Sequence, residues 1–257
     1  MLERITATRY VTPLKEGGSL PGIVEADDLG TYVLKFRGAG QGLKVLVAEI
    51  LVGELARALG LAVPRLAVVD LRDPIAKYEA DEEVQDLLTA SIGSNLGIDF
   101  LPGSFGYDGS RPPDPATAAA VVWLDAFTAN PDRTWANPNL LLWHGRTWLI
   151  DHGAALYFHH RWPSKAPDAA AFARQPFDPT GHVLATPAGS LVEAHERLAP
   201  LVTDDLLESV TAQVPQEWLE PATGLDGAEA VRAAYREHLR ARLEAAEAWL
   251  PRGEPWS

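Results

Sequence analysis

Three short runs near the start of the chain, ITATRYV, GIVEA and TYVLKF, alternate or cluster β-branched and aromatic residues, and the turn-forming KEGGSLPG and ADDLG separate them. A period of two broken by Gly, Pro and Asp predicts three consecutive antiparallel strands. After RGAGQG, the run LKVLVAEILVGELARAL is too long for a strand and stops at Gly60, a residue suited to the left-handed position that closes a helix; a helix is predicted. LAVPRLAVVDL returns to strand character, and DEEVQDLLTASI reads as a short amphipathic helix. The Gly- and Pro-rich residues 93–115 read as a loop connecting two lobes.

Beyond residue 115 the pattern changes. PATAAAVVWLDAFTAN is predicted as a helix with Pro in its first turn, and PDRTWANPN as an irregular loop bracketed by Pro131 and Pro138. LLLWHGRTWLIDHG holds two apolar runs around a His-Gly turn, which predicts a β-hairpin ending at Asp151. The last third (SLVEAHERLAPLV, DDLLESVTAQV, AEAVRAAYREHLRARLEAAEAWL) is helical, with Glu and Arg at helical spacing on solvated faces. The expected fold class is therefore α+β, with a sheet-rich N-terminal lobe over residues 1–98 and a larger helical C-terminal lobe over residues 99–257.

Composition narrows the function classes. With 257 residues, 47% apolar and 22% charged, the chain supports a packed core and is not a disordered or coiled-coil protein. A net charge of −13 with no basic run disfavours direct binding to nucleic acid or anionic lipid. The absence of cysteine excludes disulfides and thiol chemistry. The first residues lack the apolar core of a signal peptide, and no apolar stretch is long enough to span a bilayer, so a cytoplasmic protein with no membrane partner is expected. His152, His159 and His160 show no metal-binding spacing; on a strand the adjacent pair would point to opposite sides. Trp123, Trp135, Trp143, Trp148 and Trp162 are expected to build core and lobe contacts.

The sharpest local pattern is Asn130-Pro-Asp132-Arg133-Thr-Trp-Ala-Asn137, followed after the hairpin by Asp151-His152-Gly153. Phosphoryl transfer from ATP requires an acid near the attacking hydroxyl, an amide and a carboxylate for Mg²⁺, and a cation on the phosphates. Asp132 and Asn137 have the D-x-x-x-x-N spacing of a kinase catalytic loop, and the hairpin returns Asp151 beside Asn137. Asn139 competes with Asn137 for the amide role but lacks that spacing.

The ordered set of VLKF with Lys35, AEILVGELARALGLAVP with Glu49, NPDRTWAN and LIDHG resembles the HipA-like kinases over roughly residues 32–153. The resemblance implies a two-lobed, protein-kinase-like fold related to the phosphoinositide kinases: a small antiparallel-sheet N-lobe with one helix, and a helical C-lobe. It implies ATP and Mg²⁺ as cofactors, and as acceptor a hydroxyl, of a protein Ser/Thr or of a small molecule. Carried over, Lys35 contacts the phosphates, Glu49 orients Lys35, Asp132 is the catalytic base, Arg133 holds the catalytic loop, and Asn137 and Asp151 hold the metal. Helical geometry independently places Glu49 on the stripe of Val45, Val52 and Ala56, where a carboxylate needs a cation. Gly17, Gly18 and Ser19, between the first two strands, stand where a lid over the phosphates belongs, although EGGSLPG is not a regular G-x-G-x-x-G. Thr134 replaces a histidine frequent in the family.

Other readings compete. Gly38-Ala-Gly40-Gln-Gly42 sits where a dinucleotide loop would but lacks the third glycine spacing, so a connection between strand and helix is expected. A kinase-like module without turnover, binding nucleotide or a protein partner, would keep the same residues. A metal-dependent phosphohydrolase would use Asp125, Asp132 and Asp151, but Asp125 falls within a helix and reads as structural.

Overall fold

The computed structural model describes residues 1–14, 21–72, 75 and 81–251. Gly17, Gly18 and Ser19 lie outside the described residues. The chain forms two compact units, Met1–Leu46 with Pro64–Pro102 and Val47–Val63 with Gly103–Ser257. The division differs from a single boundary at residue 98, because most of helix α1 (Leu43–Ala58) belongs to the second unit.

In the first unit the strands are β1 (Glu3–Pro13), β2 (Gly22–Ala26), β3 (Thr31–Lys35), β4 (Leu66–Leu71) and β5 (Gly93–Asp99). They close into a barrel in the order β1-β2-β3-β5-β4. The expected antiparallel sheet is corrected at one seam: β1 pairs with β4 in parallel, Glu3 opposite Ala67 through Thr6 opposite Asp70. Closure there removes both sheet edges and encloses the inward-facing Ile5, Ala7, Val24, Leu34 and Val69. Helix α2 (Glu82–Ala90) adds Val84 and Leu88 to this core, and Asp81 caps it by accepting the amides of Glu83 and Val84.

Strand β5 overturns the loop reading of residues 93–99. It lies between β3 and β4, with Gly97 opposite both Leu34 and Ala67. The glycines that imitate a loop have a packing reason: a Cβ at Gly97 would fall 2.4 Å from Val69 Cγ2 and 3.4 Å from the Tyr32 ring.

The second unit begins within α1, which ends as expected at Gly60 (φ +84°), where the Leu61 amide donates to the Ala56 carbonyl and the Gly60 amide to Arg57. Helix α3 (Pro115–Thr128) starts at the N-cap Asp114 with Pro115 in its first turn, and buries almost its whole surface. A three-stranded sheet follows from β6 (Phe105–Gly106), β7 (Leu140–Trp143) and β8 (Arg146–Leu149), the last two forming the expected hairpin.

The remaining helices are α4 (Ala169–Ala173), α5 (Leu191–Leu198), α6 (Asp204–Ala212), α7 (Gly227–Glu244) and α8 (Ala246–Trp249). In the core Trp123 stacks on Phe127 and meets Trp249 edge-on, and the buried Arg242, 5.1 Å over the Trp249 ring, donates from its guanidinium to the carbonyls of Ala126, Phe172 and Gln175. Burial lowers the Arg242 pKa to about 10. His159 and His160 lie in a short 3-10 helix rather than a strand, and no cluster of three His, Cys, Asp or Glu able to hold a metal occurs among the described residues. None of their helices is long and apolar enough to cross a membrane.

Candidate functional site

The site is built around the turn that follows α3. Ala129 adopts a left-handed conformation (φ +52°) and ends the helix, and the Asn130 amide closes back on the Asp125 carbonyl at 2.8 Å. The Asn130 side chain then accepts the amide of Asp132 at 3.1 Å and donates to Asp125 at 2.9 Å, which sets the entry of the loop. Thr134 N–H donates to the carbonyls of both Asp132 and Asn137, folding the loop into a compact turn.

That turn brings the predicted side chains together. Asp132 Oδ1 accepts from the Asn137 amide nitrogen at 3.0 Å, and Oδ2 accepts from that of Asn139 at 3.1 Å. Both asparagines weighed from the sequence therefore meet the same carboxylate. With its nitrogen on Asp132, the Asn137 amide has its oxygen as the acceptor end of the group.

Asp151 lies at the end of the hairpin. The Ile150 amide donates to the Asn139 carbonyl at 3.1 Å, fixing the residue before Asp151 against the asparagine loop. Asp151 itself has φ +54°, a left-handed conformation that a residue with a Cβ adopts at a cost and that recurs where side-chain direction matters. The next amide, of His152, donates to Glu49 Oε2 at 3.0 Å. Glu49 is buried on α1 at 1% exposure, as its helical stripe predicts, and its carboxylate holds the turn just after Asp151.

Arg133 organises this region from beneath. Its guanidinium is fully enclosed, donates to Asp125 at 2.6 Å and to the carbonyls of Asn139 at 2.5 Å and Ile150 at 3.3 Å, and lies 3.3 Å from His152 Nδ1. One planar fork thus spans α3, the catalytic-type loop and the end of the hairpin, a task suited to arginine. Asp125 also accepts from His182 Nε2 at 2.9 Å, while His182 Nδ1 accepts the Leu184 amide, so the ring is held with its proton on Nε2. Burial pushes the Asp125 carboxyl upward, but the Arg133 charge and the His182 hydrogen bond outweigh it and keep the group well below the usual carboxylate range.

The supporting Asp125 and His182 are the residues that spacing does not reveal as part of this assembly. One signal exists for Asp125: it is the only charged residue within PATAAAVVWLDAFT, and a carboxylate in so apolar a helix must find a cation. His182 meets it across 57 positions and has no local signature. Trp135 departs from the expected core role, being 60% exposed and stacked on Tyr107 with ring centroids 6.2 Å apart. In the first unit, Lys35 is the last residue of β3 and its side chain is buried.

A metal held by Asn137 and Asp151 would meet oxygen donors, which suit a hard divalent cation such as Mg²⁺. Asn137 and Asp151 offer oxygen, and Mg²⁺ is ordinarily held by one or two carboxylates with substrate phosphates and water rather than by a full protein cage.

Among solved structures, the chain is similar to the Helicobacter pylori proinflammatory kinase CtkA, with a TM-score of 0.55 and 11% identity over 96% of this chain and 98% of that one. The Golgi casein kinase aligns with a TM-score of 0.43 and 13% identity over 99% of this chain and 73% of that one. Its form with Mn/ADP bound aligns with a TM-score of 0.43 and 12% identity over 96% and 74%. No curated protein sequence matches the chain. The model of the HipA-like kinase family matches residues 8–250, and the chain belongs to that family.

Proposed function

We propose that this protein is an ATP-dependent kinase that transfers the γ-phosphoryl group of Mg-ATP to a hydroxyl acceptor, with a protein Ser or Thr as the favoured acceptor. The observation that carries the reading is the Asp132 carboxylate held by the amides of Asn137 and Asn139, with Ile150, the residue before Asp151, hydrogen-bonded to the Asn139 carbonyl.

Asp132 is the residue placed to orient the acceptor hydroxyl and take its proton as the phosphorus to oxygen bond forms. The proton passes to the carboxylate, the terminal phosphoryl group to the acceptor oxygen, and ADP departs. Asn137 and Asp151 hold Mg²⁺, which when bound screens the phosphate charge. Lys35 contributes a positive charge to the nucleotide phosphates in this proposal. Arg133 and Glu49 are positioning residues: the first fixes the loop, the second the turn after Asp151. The two-lobed kinase description, with the barrel unit as N-lobe and the helical unit as C-lobe, belongs to this same reading.

Labelled ATP and thermal melting test it together. Asp132→Ala is expected to lower phosphoryl transfer, autophosphorylation included, by about 10²- to 10⁴-fold while leaving the Mg-ATP melting shift in place. Asp151→Asn is expected to diminish that shift, which for wild type at 100 times Kd corresponds to about 2.7 kcal/mol. A shift without transfer to any acceptor favours a nucleotide-binding module; undiminished transfer by Asp132→Ala overturns the assignment of the base.

A further inference from the structure

A cavity of about 470 Å³ lies wholly within the helical unit, lined by the residues just after α1, the approach to α3 and its first turns, the β7–β8 hairpin and one residue of α5. None of the residues assigned to the phosphoryl-transfer site lines it. Its lining includes the apolar Leu61 and Leu142, and its charges are mostly of one sign: Arg111, Arg146 and Arg197, together with His144, and Asp114 as the single acid among the described lining residues.

No contact ion pair neutralises these arginines among the described residues. In a chain of net charge −13 a local excess of cations runs against the general trend. Among the described residues of the same unit, Arg133, Arg232, Arg236 and Arg240 are ion-paired, whereas Arg111, Arg146 and Arg197 are in no ion pair. The positive charge of Arg111 helps lower the Asp108 carboxyl, after the larger effect of Ser110, without forming a contact pair. Asp114, the remaining acid, is committed to capping α3: it accepts the Thr117 amide at 3.0 Å and the Thr117 hydroxyl at 2.6 Å, which keeps its pKa low.

The cations are also held in place by the fold. His144 and Gly145 both have positive φ, +47° and +74°, giving the tight two-residue hairpin turn that sets Arg146 as the first residue of β8. The Arg146 guanidinium lies 6.0 Å over the Trp148 ring. Arg197, in the last turn of α5, reaches the Ala116 carbonyl at 3.4 Å, so it stands at the first turn of α3, where the helix dipole adds further positive potential. Arginines from three separate segments lining one concavity of this size suit a compact ligand with two or more anionic groups.

We propose that this cavity is a binding site for a small polyanion carrying phosphate or carboxylate groups, separate from the phosphoryl-transfer site and independent of the activity proposed for it. The test is isothermal titration of the full chain in magnesium-free chloride buffer with inorganic pyrophosphate and, separately, citrate. At least one is expected to bind, pyrophosphate more tightly if the natural groups are phosphates and citrate if they are carboxylates. Arg146→Ala/Arg197→Ala is expected to weaken binding at least tenfold, and Arg111→Gln severalfold, with the Mg-ATP melting shift kept at its wild-type size. Raising chloride from 50 to 200 mM is expected to weaken the wild-type interaction, since these charges are exposed. All three side chains are exposed and outside any ion pair, so the variants are expected to fold, and their unliganded melting temperatures check this. No binding of either anion at millimolar concentration overturns the proposal, as does equal binding by wild type and double variant. A tetraglutamate peptide that binds through these arginines when neither small anion does would also overturn it, in favour of a protein-docking surface.

Discussion

The Arg133 guanidinium has Asp125, two backbone carbonyls and His152 around it and no solvent exposure at its side chain. A lysine would carry the charge but could satisfy only part of that fork. Removing the carboxylate with Asp125→Ala leaves the guanidinium enclosed without a counter-charge and also strands the proton of His182 Nε2. Losing one partner of a buried pair typically costs about 3–5 kcal/mol, and that is the loss expected in urea denaturation. The double variant Arg133→Met/Asp125→Leu removes both charges and is expected to recover a large part of it. Its phosphoryl transfer should stay low, because the guanidinium that bridges the Asn139 and Ile150 carbonyls is gone and only the Ile150 to Asn139 backbone hydrogen bond remains there. A loss below 1 kcal/mol for Asp125→Ala would show that the pair does not organise the loop. At this scale the burial of Glu49 is legible in sequence, because an acid on an apolar helical stripe has few alternatives. The Asp125 to His182 contact is not, because it forms only when distant segments meet.

Elements were readable where periodicity and punctuation agree. Helix α1 ends at Gly60 as its sequence predicts, because the left-handed closing residue is written into the chain. The hairpin of β7 and β8 is equally local, its His-Gly turn supplying both positive φ angles. Strand β5 is the counterexample: Gly93, Ser94 and Gly97 imitate a loop, and only the neighbouring strand explains them. At Gly97 propensity and packing point in opposite directions. Alanine or valine there would raise intrinsic strand preference by at most about 1 kcal/mol, but the new Cβ meets Val69 Cγ2 at 2.4 Å in a closed barrel that cannot easily spread. Packing should win. Gly97→Ala is expected to destabilise the protein by about 1–3 kcal/mol, seen as a lower urea midpoint with little change in slope. Adding Val69→Ala opens the space, so the two losses should be clearly sub-additive. Strict additivity would place the cost elsewhere than in this contact. The closing pair of β1 with β4 is hidden from sequence for the same reason, since a parallel seam between strands some 60 residues apart leaves no turn signature.

Across the whole molecule, acid acts through two opposing effects. Protonation brings a chain of net charge −13 closer to neutrality and relieves self-repulsion, which favours the fold. Against this, two histidines are held in their neutral form. Burial lowers the pKa of His238, which stacks on Phe158 at 4.5 Å and meets the Ala234 carbonyl through Nδ1 at 2.7 Å. Burial likewise lowers His195, whose Nδ1 accepts the indole N–H of Trp123 at 3.1 Å. In the unfolded chain both rings take up protons near the ordinary value of about 6.5, whereas the folded protein resists until the pH is lower. Between those values the unfolded state binds more protons, so stability falls as pH falls. The depressed Asp125 carboxyl extends the decline further into acid, because unfolded aspartate protonates near 3.9 while the folded pair still excludes the proton. Comparing wild type with His238→Phe separates the two effects: at pH 7.5 both carry the same charge, and the variant keeps an aromatic ring against Phe158 but has nothing to titrate. Wild type is expected to lose more of its stability than the variant between pH 7.5 and 5.5, measured by urea denaturation at each pH. Parallel curves would mean that His238 titrates alike in both states and that His195 and net charge govern the acid response in this range.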